Sequence, residues 1–110
     1  MVKKDTQKGT LPGGVKVGPI DYKILKSDGM RDGTTFDGLQ IYEEAKILLR
    51  NCLDGDIERV TLIHEILHAI FDNASLSNTG KNHHLIGLLA TALYSLIQDN
   101  PDLIKYLQKK

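Results

Sequence analysis

The stretch that most constrains this chain is His64-Glu65-Ile66-Leu67-His68, which lies inside the apolar run of residues 60–71. Apolar residues recur around it at three- and four-residue spacing, which predicts one buried stripe of an α-helix. Residues four apart lie on the same helix face, about one turn from each other. Any fold for this chain must therefore bury a helix that presents two imidazoles side by side.

Two histidines at this spacing predict a zinc site. Catalytic zinc sites use three protein ligands and leave a fourth position for water, whose pKa the metal lowers to roughly 7. On this hypothesis His64 and His68 bind Zn²⁺, and Glu65 is the general base for hydrolysis of a peptide bond. The alternative is a buried helix whose histidines are only hydrogen-bonded. A charged glutamate in such apolar surroundings favours the metal hypothesis.

Composition limits the remaining classes of function. The 110 residues are enough for one domain with a modest core. Lys+Arg and Asp+Glu both number 14, so the basic excess of a nucleic-acid-binding protein is absent. The longest apolar stretch, residues 85–97, is too short to span a bilayer, and no signal-peptide pattern precedes the domain. We expect a cytoplasmic protein with no nucleic-acid or membrane partner and with its lone Cys52 buried.

Hydrophobic patterning predicts an α+β fold with the sheet first. Residues 1–14 are expected to form a flexible N-terminal tail, followed by a single domain over residues 15–110. Alternating apolar residues predict a strand over 15–24, bent at Gly18-Pro19, and further strands over 34–42 and 45–50. Asp-Gly pairs at 28–29 and 32–33 predict a loop or tight hairpin. We expect a short twisted sheet of about three strands, mostly hairpin-connected.

Helix signals follow in the second half of the chain. Asp54 and its neighbours are candidate N-caps for the helix that carries the histidines, which should end near residues 72–73 before a polar loop over 75–82. A second long helix is predicted from residue 82 or 83 to 98. Its apolar residues cover more than one face, so we expect it to be largely buried. Asn100 and Pro101 then begin a short C-terminal helix.

Two segments resemble a known family: residues 60–70, with the two histidines and the glutamate, and residues 89–94 followed by Asp99-Asn100-Pro101. Through them, residues 15–107 resemble the small prophage-type zincins related to the ImmA/IrrE metallopeptidases, and the minigluzincins of similar size. The resemblance implies a zincin-like domain and a zinc-dependent metallopeptidase acting on a protein or peptide. The substrate it suggests is a regulatory protein of the same mobile element. It also implies that the strand over 45–50 binds extended peptide along its edge.

The third zinc ligand is where the sequence departs from that family. The family has a glutamate on the second helix, three residues before the alanine that is Ala90 here, and this chain has Gly87. His83 and His84 lie one turn earlier on much the same face, so both are candidate ligands. Both are equally well explained as exposed residues at a helix start. The alternative function is therefore a catalytically inactive zincin-like module that binds another protein.

Two more residues have open roles. Asp72, four residues after His68, is placed either to hydrogen-bond a ligand histidine or to be solvated at the helix end. Tyr94 is placed either to stabilise an oxyanion or to pack in the core. The sequence leaves the substrate and the oligomeric state open.

Overall fold

The structure, a computed structural model, describes residues 10–109 and has an α+β fold, as predicted. The strands come first: β1 Gly14–Val17, β2 Ile20–Ser27, β3 Met30–Arg31, β4 Thr34–Thr35, β5 Gly38–Ile41 and β6 Lys46–Arg50, with a 3₁₀ helix Tyr42–Glu44 between the last two. The helices follow: α1 Gly55–Asn73, α2 Ser77–Gly80, α3 His83–Asp99 and α4 Pro101–Leu107. The short α2 lies in the segment that was predicted to be a loop.

Four of the described strands form one mixed sheet in the order β1-β2-β6-β5. β1 pairs with β2 and β5 pairs with β6 in antiparallel fashion, whereas β2 and β6 are parallel. The prediction of about three hairpin-connected strands is corrected here. β6 lies inside the sheet because Ile47 and Leu49 are fully buried there, and a strand buried in this way takes a central position.

Two predicted strands are each divided in the structure. The strand predicted over residues 15–24 is the β1–β2 hairpin, because Gly18 adopts a φ of +59° and lets the chain reverse. The strand predicted over 34–42 is interrupted where the N–H of Phe36 donates to the carbonyl of Gly29. The short β3–β4 hairpin confirms the turn predicted from the Asp-Gly pairs, with Asp32 and Gly33 both at positive φ.

α1 lies between two clusters of the core. One cluster joins the sheet to α1 through Val17, Tyr22, Ile24, Ile47, Leu49 and Ala69. The other joins α1 to α3 through Leu67, Ile86 and Ala90. The helix that carries the histidine motif is thereby fixed from two sides, and the motif lies along the line where the sheet and α3 both meet it.

α3 is less buried than predicted. Ile86 and Ala90 are its buried residues, whereas 58% of Leu88 and 45% of Leu96 are exposed. The reason is that α3 packs on one side, against α1, so its second apolar face has no cover in the described part of the chain. Cys52, predicted to be buried, is also exposed.

The segment before β1 is partly integrated into the fold. Residues 1–9 of the predicted tail lie outside the described residues. Leu11 packs against the sheet cluster, and the carbonyl of Gly13 accepts a hydrogen bond from the N–H of Ile24. Between residues 10 and 109, no helix is long and apolar enough to cross a membrane.

Candidate metal centre

α1 and α3 bring three histidines together. His64 and His68 lie one turn apart on α1, and His83 is the first residue of α3. One ring nitrogen from each lies within 4.8 Å of those of the other two. The ring centroids are 4.8 Å apart for His64 and His68, 4.9 Å for His68 and His83, and 5.9 Å for His64 and His83. His84 is exposed and does not belong to this group.

The three-histidine group fits a zinc ion by geometry and by donor chemistry. Zn–N distances of about 2.0–2.1 Å in a tetrahedron place ligand nitrogens about 3.4 Å apart. Because the nitrogens are already within 4.8 Å of one another, side-chain movements of about 1 Å bring them to this spacing. Three imidazoles also leave a fourth coordination position, which is the arrangement of catalytic zinc sites.

Gly87 leaves open space on α3. A Cβ added there meets no heavy atom within 4 Å, at the position where the resemblance to zincins leads one to expect a glutamate. His83, one turn earlier on α3, is the residue that reaches the α1 histidines. Of the two neighbouring candidates, the structure places His83 in the group and His84 outside it.

The surroundings keep the α1 histidines in the form that binds metal. Burial lowers the pKa of both His64 and His68, and the neighbouring histidines lower it further. Protonation is therefore disfavoured and a ring lone pair stays available. The His68 ring also hydrogen-bonds the backbone carbonyl of Gly80, which opposes this lowering of its pKa. Because one ring nitrogen is used as that donor, the other is left for a metal.

Asp72 lies close enough to His68 for its carboxylate to influence the imidazole. Its carboxylate raises the pKa of His68 by charge, and both residues line the same cavity. Asp72 therefore faces the cleft close to His68, and a hydrogen bond between the two residues stays a prediction. Tyr94, in contrast, donates its hydroxyl hydrogen to Asp56 near the start of α1, so that this group is engaged away from the histidines.

Glu65 is the buried charged side chain of the described residues, with 7% of its surface exposed. Burial raises its pKa to about 7, and the main-chain N–H of Gln40, directed at the carboxylate, opposes that rise. A carboxyl group whose pKa lies close to neutral pH is well matched to accept a proton and return it. Burying a charged carboxylate is unfavourable, so a helix with a purely structural role is not expected to contain one at this position.

Two cavities flank the group along β5. One has a volume of about 270 Å³ and includes Gln40, His68, Asp72 and Lys81 in its lining. The other has a volume of about 370 Å³ and includes Phe36, Val60, Thr61 and His64. Gly38, Glu65 and His83 line both. The cleft therefore continues on either side of the histidine group, as binding of an extended chain requires.

The strand that borders this cleft is β5, which corrects the prediction that residues 45–50 would bind peptide. Both edges of β6 are occupied, by β2 and by β5, whereas β5 is an edge strand of the sheet that residues 10–109 form. The N–H of Arg50 donates to the carbonyl of Asp37, and hydrogen-bonded pairs alternate along an antiparallel ladder. The main-chain groups of Gly38 and Gln40 therefore point to the free edge.

The sequence interpretation missed Gly38 and Gln40, which contact Glu65 from β5. A signal for Gly38 was present, because a glycine inside a strand pattern often marks the close approach of another part of the chain. No such signal exists for Gln40, which acts through its main-chain N–H.

Comparisons with protein-family models, with curated proteins and with solved structures found no match. The resemblance to zincins therefore rests on the motif residues of this chain.

Proposed function

We propose that this protein is a zinc-dependent metallopeptidase in which His64, His68 and His83 bind the metal and Glu65 is the general base. The observation that carries the proposal is the group of three histidine nitrogens within 4.8 Å of one another, next to a buried glutamate on the same helix. A zinc ion bound there would polarise a peptide carbonyl and lower the pKa of a water molecule.

The other roles in the proposed reaction, proton transfer, orientation of a ligand and binding of the substrate, belong to residues of the chain. Glu65, held in a desolvated position, accepts a proton from the attacking water and passes it to the leaving amine. The carbonyl of Gly80 fixes the orientation of the His68 ring. At the free edge of β5, the main-chain groups of Gly38 and the carbonyl of Gln40 are available to an extended peptide in the cleft, whereas the N–H of Gln40 faces Glu65.

The competing proposal is a zincin-like module that binds a protein partner without cleaving it. Its motivation was the absence of a glutamate at position 87, which left the metal with two ligands. His83 supplies a third donor from the same helix, so the presence of Gly87 is not an argument against a complete metal site. The raised pKa of Glu65 favours the enzyme, because a binding module has no use for a buried carboxyl group.

Metal binding is tested by comparing alanine variants of His83, which belongs to the three-histidine group, and of its neighbour His84, which does not. Protein purified in zinc-containing buffer is analysed for zinc per chain, as wild type and as His64→Ala, His83→Ala and His84→Ala. We expect about one equivalent of zinc per chain in the wild type and in His84→Ala. In His64→Ala and His83→Ala, zinc affinity should fall by more than about 100-fold, which is the upper range for losing a residue that only hydrogen-bonds a ligand. Equal zinc binding by His83→Ala and His84→Ala would contradict the proposed ligand set.

Turnover is tested separately from metal binding. Zinc-loaded wild type and Glu65→Gln are incubated with a peptide library from a digested cytosolic proteome, and new termini are identified by mass spectrometry. We expect new termini with the wild type and none with Glu65→Gln, although both variants contain zinc. Absence of new termini with the zinc-loaded wild type, in the library and in undigested cytosolic protein, would favour the binding module instead.

A further inference from the structure

Gly38 lies where the edge strand β5 is in close contact with α1. A Cβ added at this position would be 2.9 Å from Cγ and 3.0 Å from Oε2 of Glu65, and 2.6 Å from Cγ2 of Thr61. Contacts under 3.0 Å are essentially never made by a real Cβ. No side chain larger than a hydrogen atom therefore fits between β5 and these two α1 residues as they stand.

The requirement for glycine at this position is steric and not conformational. Gly18, Gly29 and Gly33 have positive φ, whereas Gly38 is part of a regular strand and is not among the residues with positive φ. The absence of a side chain at Gly38 thus leaves room for Thr61 and Glu65 of the neighbouring helix α1. The nearest neighbours include the reactive end of Glu65, so the fit concerns the candidate general base directly.

Gly38 and Gln40 act on Glu65 together. Both have their main-chain groups at the free edge of β5, and the N–H of Gln40 is directed at the Glu65 carboxylate. This contact requires β5 to lie close against α1, and that proximity depends on the absence of a side chain at position 38. A larger residue would displace the glutamate, the strand or both.

We propose that Gly38 is a positioning residue, whose missing side chain holds the Glu65 carboxylate at the main-chain N–H of Gln40 beside the three-histidine group. The proposal rests on the proposed function in one respect, the role of Glu65 as general base. Its geometric content is tested in metal-free protein, without any assumption about zinc or substrate.

The test separates packing from positioning with two substitutions. Gly38→Ala alone is expected to press on Thr61 and on Glu65. Thr61→Ser removes Cγ2, the closer of the two obstacles, but leaves the contact with Glu65 unchanged. In the double variant Gly38→Ala/Thr61→Ser, stability should therefore return toward that of Thr61→Ser, the matched control, while the displacement of Glu65 persists.

The measurement is amide hydrogen exchange by NMR in metal-free protein, together with thermal unfolding. The Gln40 amide should exchange at least about tenfold faster in the double variant than in Thr61→Ser, as it should in Glu65→Ala, where the acceptor is missing. The amides of Leu39 and Ile41, whose ladder positions face β6, should keep their protection in the double variant. They are the internal control for opening of the strand.

The outcomes distinguish this proposal from the proposed function. Slow exchange at Gln40 in the double variant would overturn the positioning role, whatever the enzyme's activity. If Gly38→Ala and the double variant do not fold, the triple variant Gly38→Ala/Thr61→Ser/Glu65→Ala should fold, because both obstacles are then removed. Failure of the triple variant to fold would also overturn the positioning role. Fast exchange at Gln40 with a full equivalent of zinc in the double variant supports the positioning role even if no peptide is cleaved.

Discussion

At the scale of single residues, the carboxylate charge of Glu65 is disfavoured by its buried surroundings. It lies on a helix between two apolar clusters, and burial raises its pKa to about 7. A group whose pKa is higher in the folded state contributes stability that is fully present below its unfolded-state pKa. That stability is lost as the pH rises through the folded-state value. Here the two values are 4.5 and about 7.

We therefore predict that Glu65→Gln stabilises the metal-free protein in alkaline but not in acidic solution. The shift from 4.5 to about 7 corresponds to about 3 kcal/mol at most, which the wild type loses as the pH rises and the glutamine variant keeps. Urea unfolding with a chelator present, at pH 4.5 and pH 8, measures the difference. Glu43→Gln, at an exposed position, controls for the lost charge. A stability gain equal at both pH values would contradict this explanation.

At the scale of elements, the start of α3 determines whether the three-histidine group of the proposed metal site is complete. His83 is the first residue of the helix, and Asn82 before it caps the helix by accepting a hydrogen bond from the N–H of Leu85, at 3.1 Å. The first turn of a helix frays when its N–H groups lack such partners. The cap therefore also supports the position of the histidine that α3 contributes.

We predict that Asn82→Ala weakens both the fold and the site, while Asn82→Ser, which keeps an acceptor, does so far less. Loss of the cap should lower the free energy of unfolding by about 1 kcal/mol. Zinc affinity should fall several-fold at the same time, because His83 then belongs to a fraying turn. Urea unfolding and zinc titration against a competing chelator measure the two effects. A zinc affinity that is unchanged in Asn82→Ala would show that the first turn holds without its cap.

At the scale of the whole molecule, the candidate metal site brings together residues from two helices, α1 and α3. Its three histidines come from α1 and α3, whose shared core is the small cluster of Leu67, Ile86 and Ala90. The sheet is joined to α1 by the other cluster. An ion bound by His64, His68 and His83 would therefore bind the folded chain in preference to the unfolded one, and would link α3 to the rest of the molecule.

We predict that zinc raises the stability of the whole protein and that a chelator removes this gain. Free zinc at 100 times its dissociation constant should add about 2.7 kcal/mol to the free energy of unfolding. His84→Ala should show the full effect, and His83→Ala should show little of it at the same zinc concentration. Thermal unfolding with and without zinc gives the comparison. A zinc-dependent shift of equal size in both variants would place the ion elsewhere.

The amino-acid sequence by itself determined the local features. Helical spacing made His64 and His68 neighbours on α1, and Asp-Gly pairs placed the β3–β4 hairpin. The start of the last helix at Pro101 followed from the Asn100-Pro101 signal, and the start of α3 at residue 82 or 83 was predicted where the apolar pattern begins. These features depend on residues a few positions apart, whose spacing and side-chain chemistry are visible in the sequence.

The tertiary structure decided everything that depends on which elements meet. The sequence left His83 and His84 equivalent, because adjacent residues at a helix start differ only in the direction they face once α3 packs on α1. The resemblance to zincins placed the peptide-binding edge on the strand over 45–50, and local patterning does not reveal that β6 pairs on both sides. The sequence offered Gly38 only as a glycine inside a strand pattern, and the close approach of Glu65 to that position appears only when β5 packs against α1. Long-range packing fixed these three features, and it brought His83 to the two histidines and the glutamate that the sequence motif had singled out.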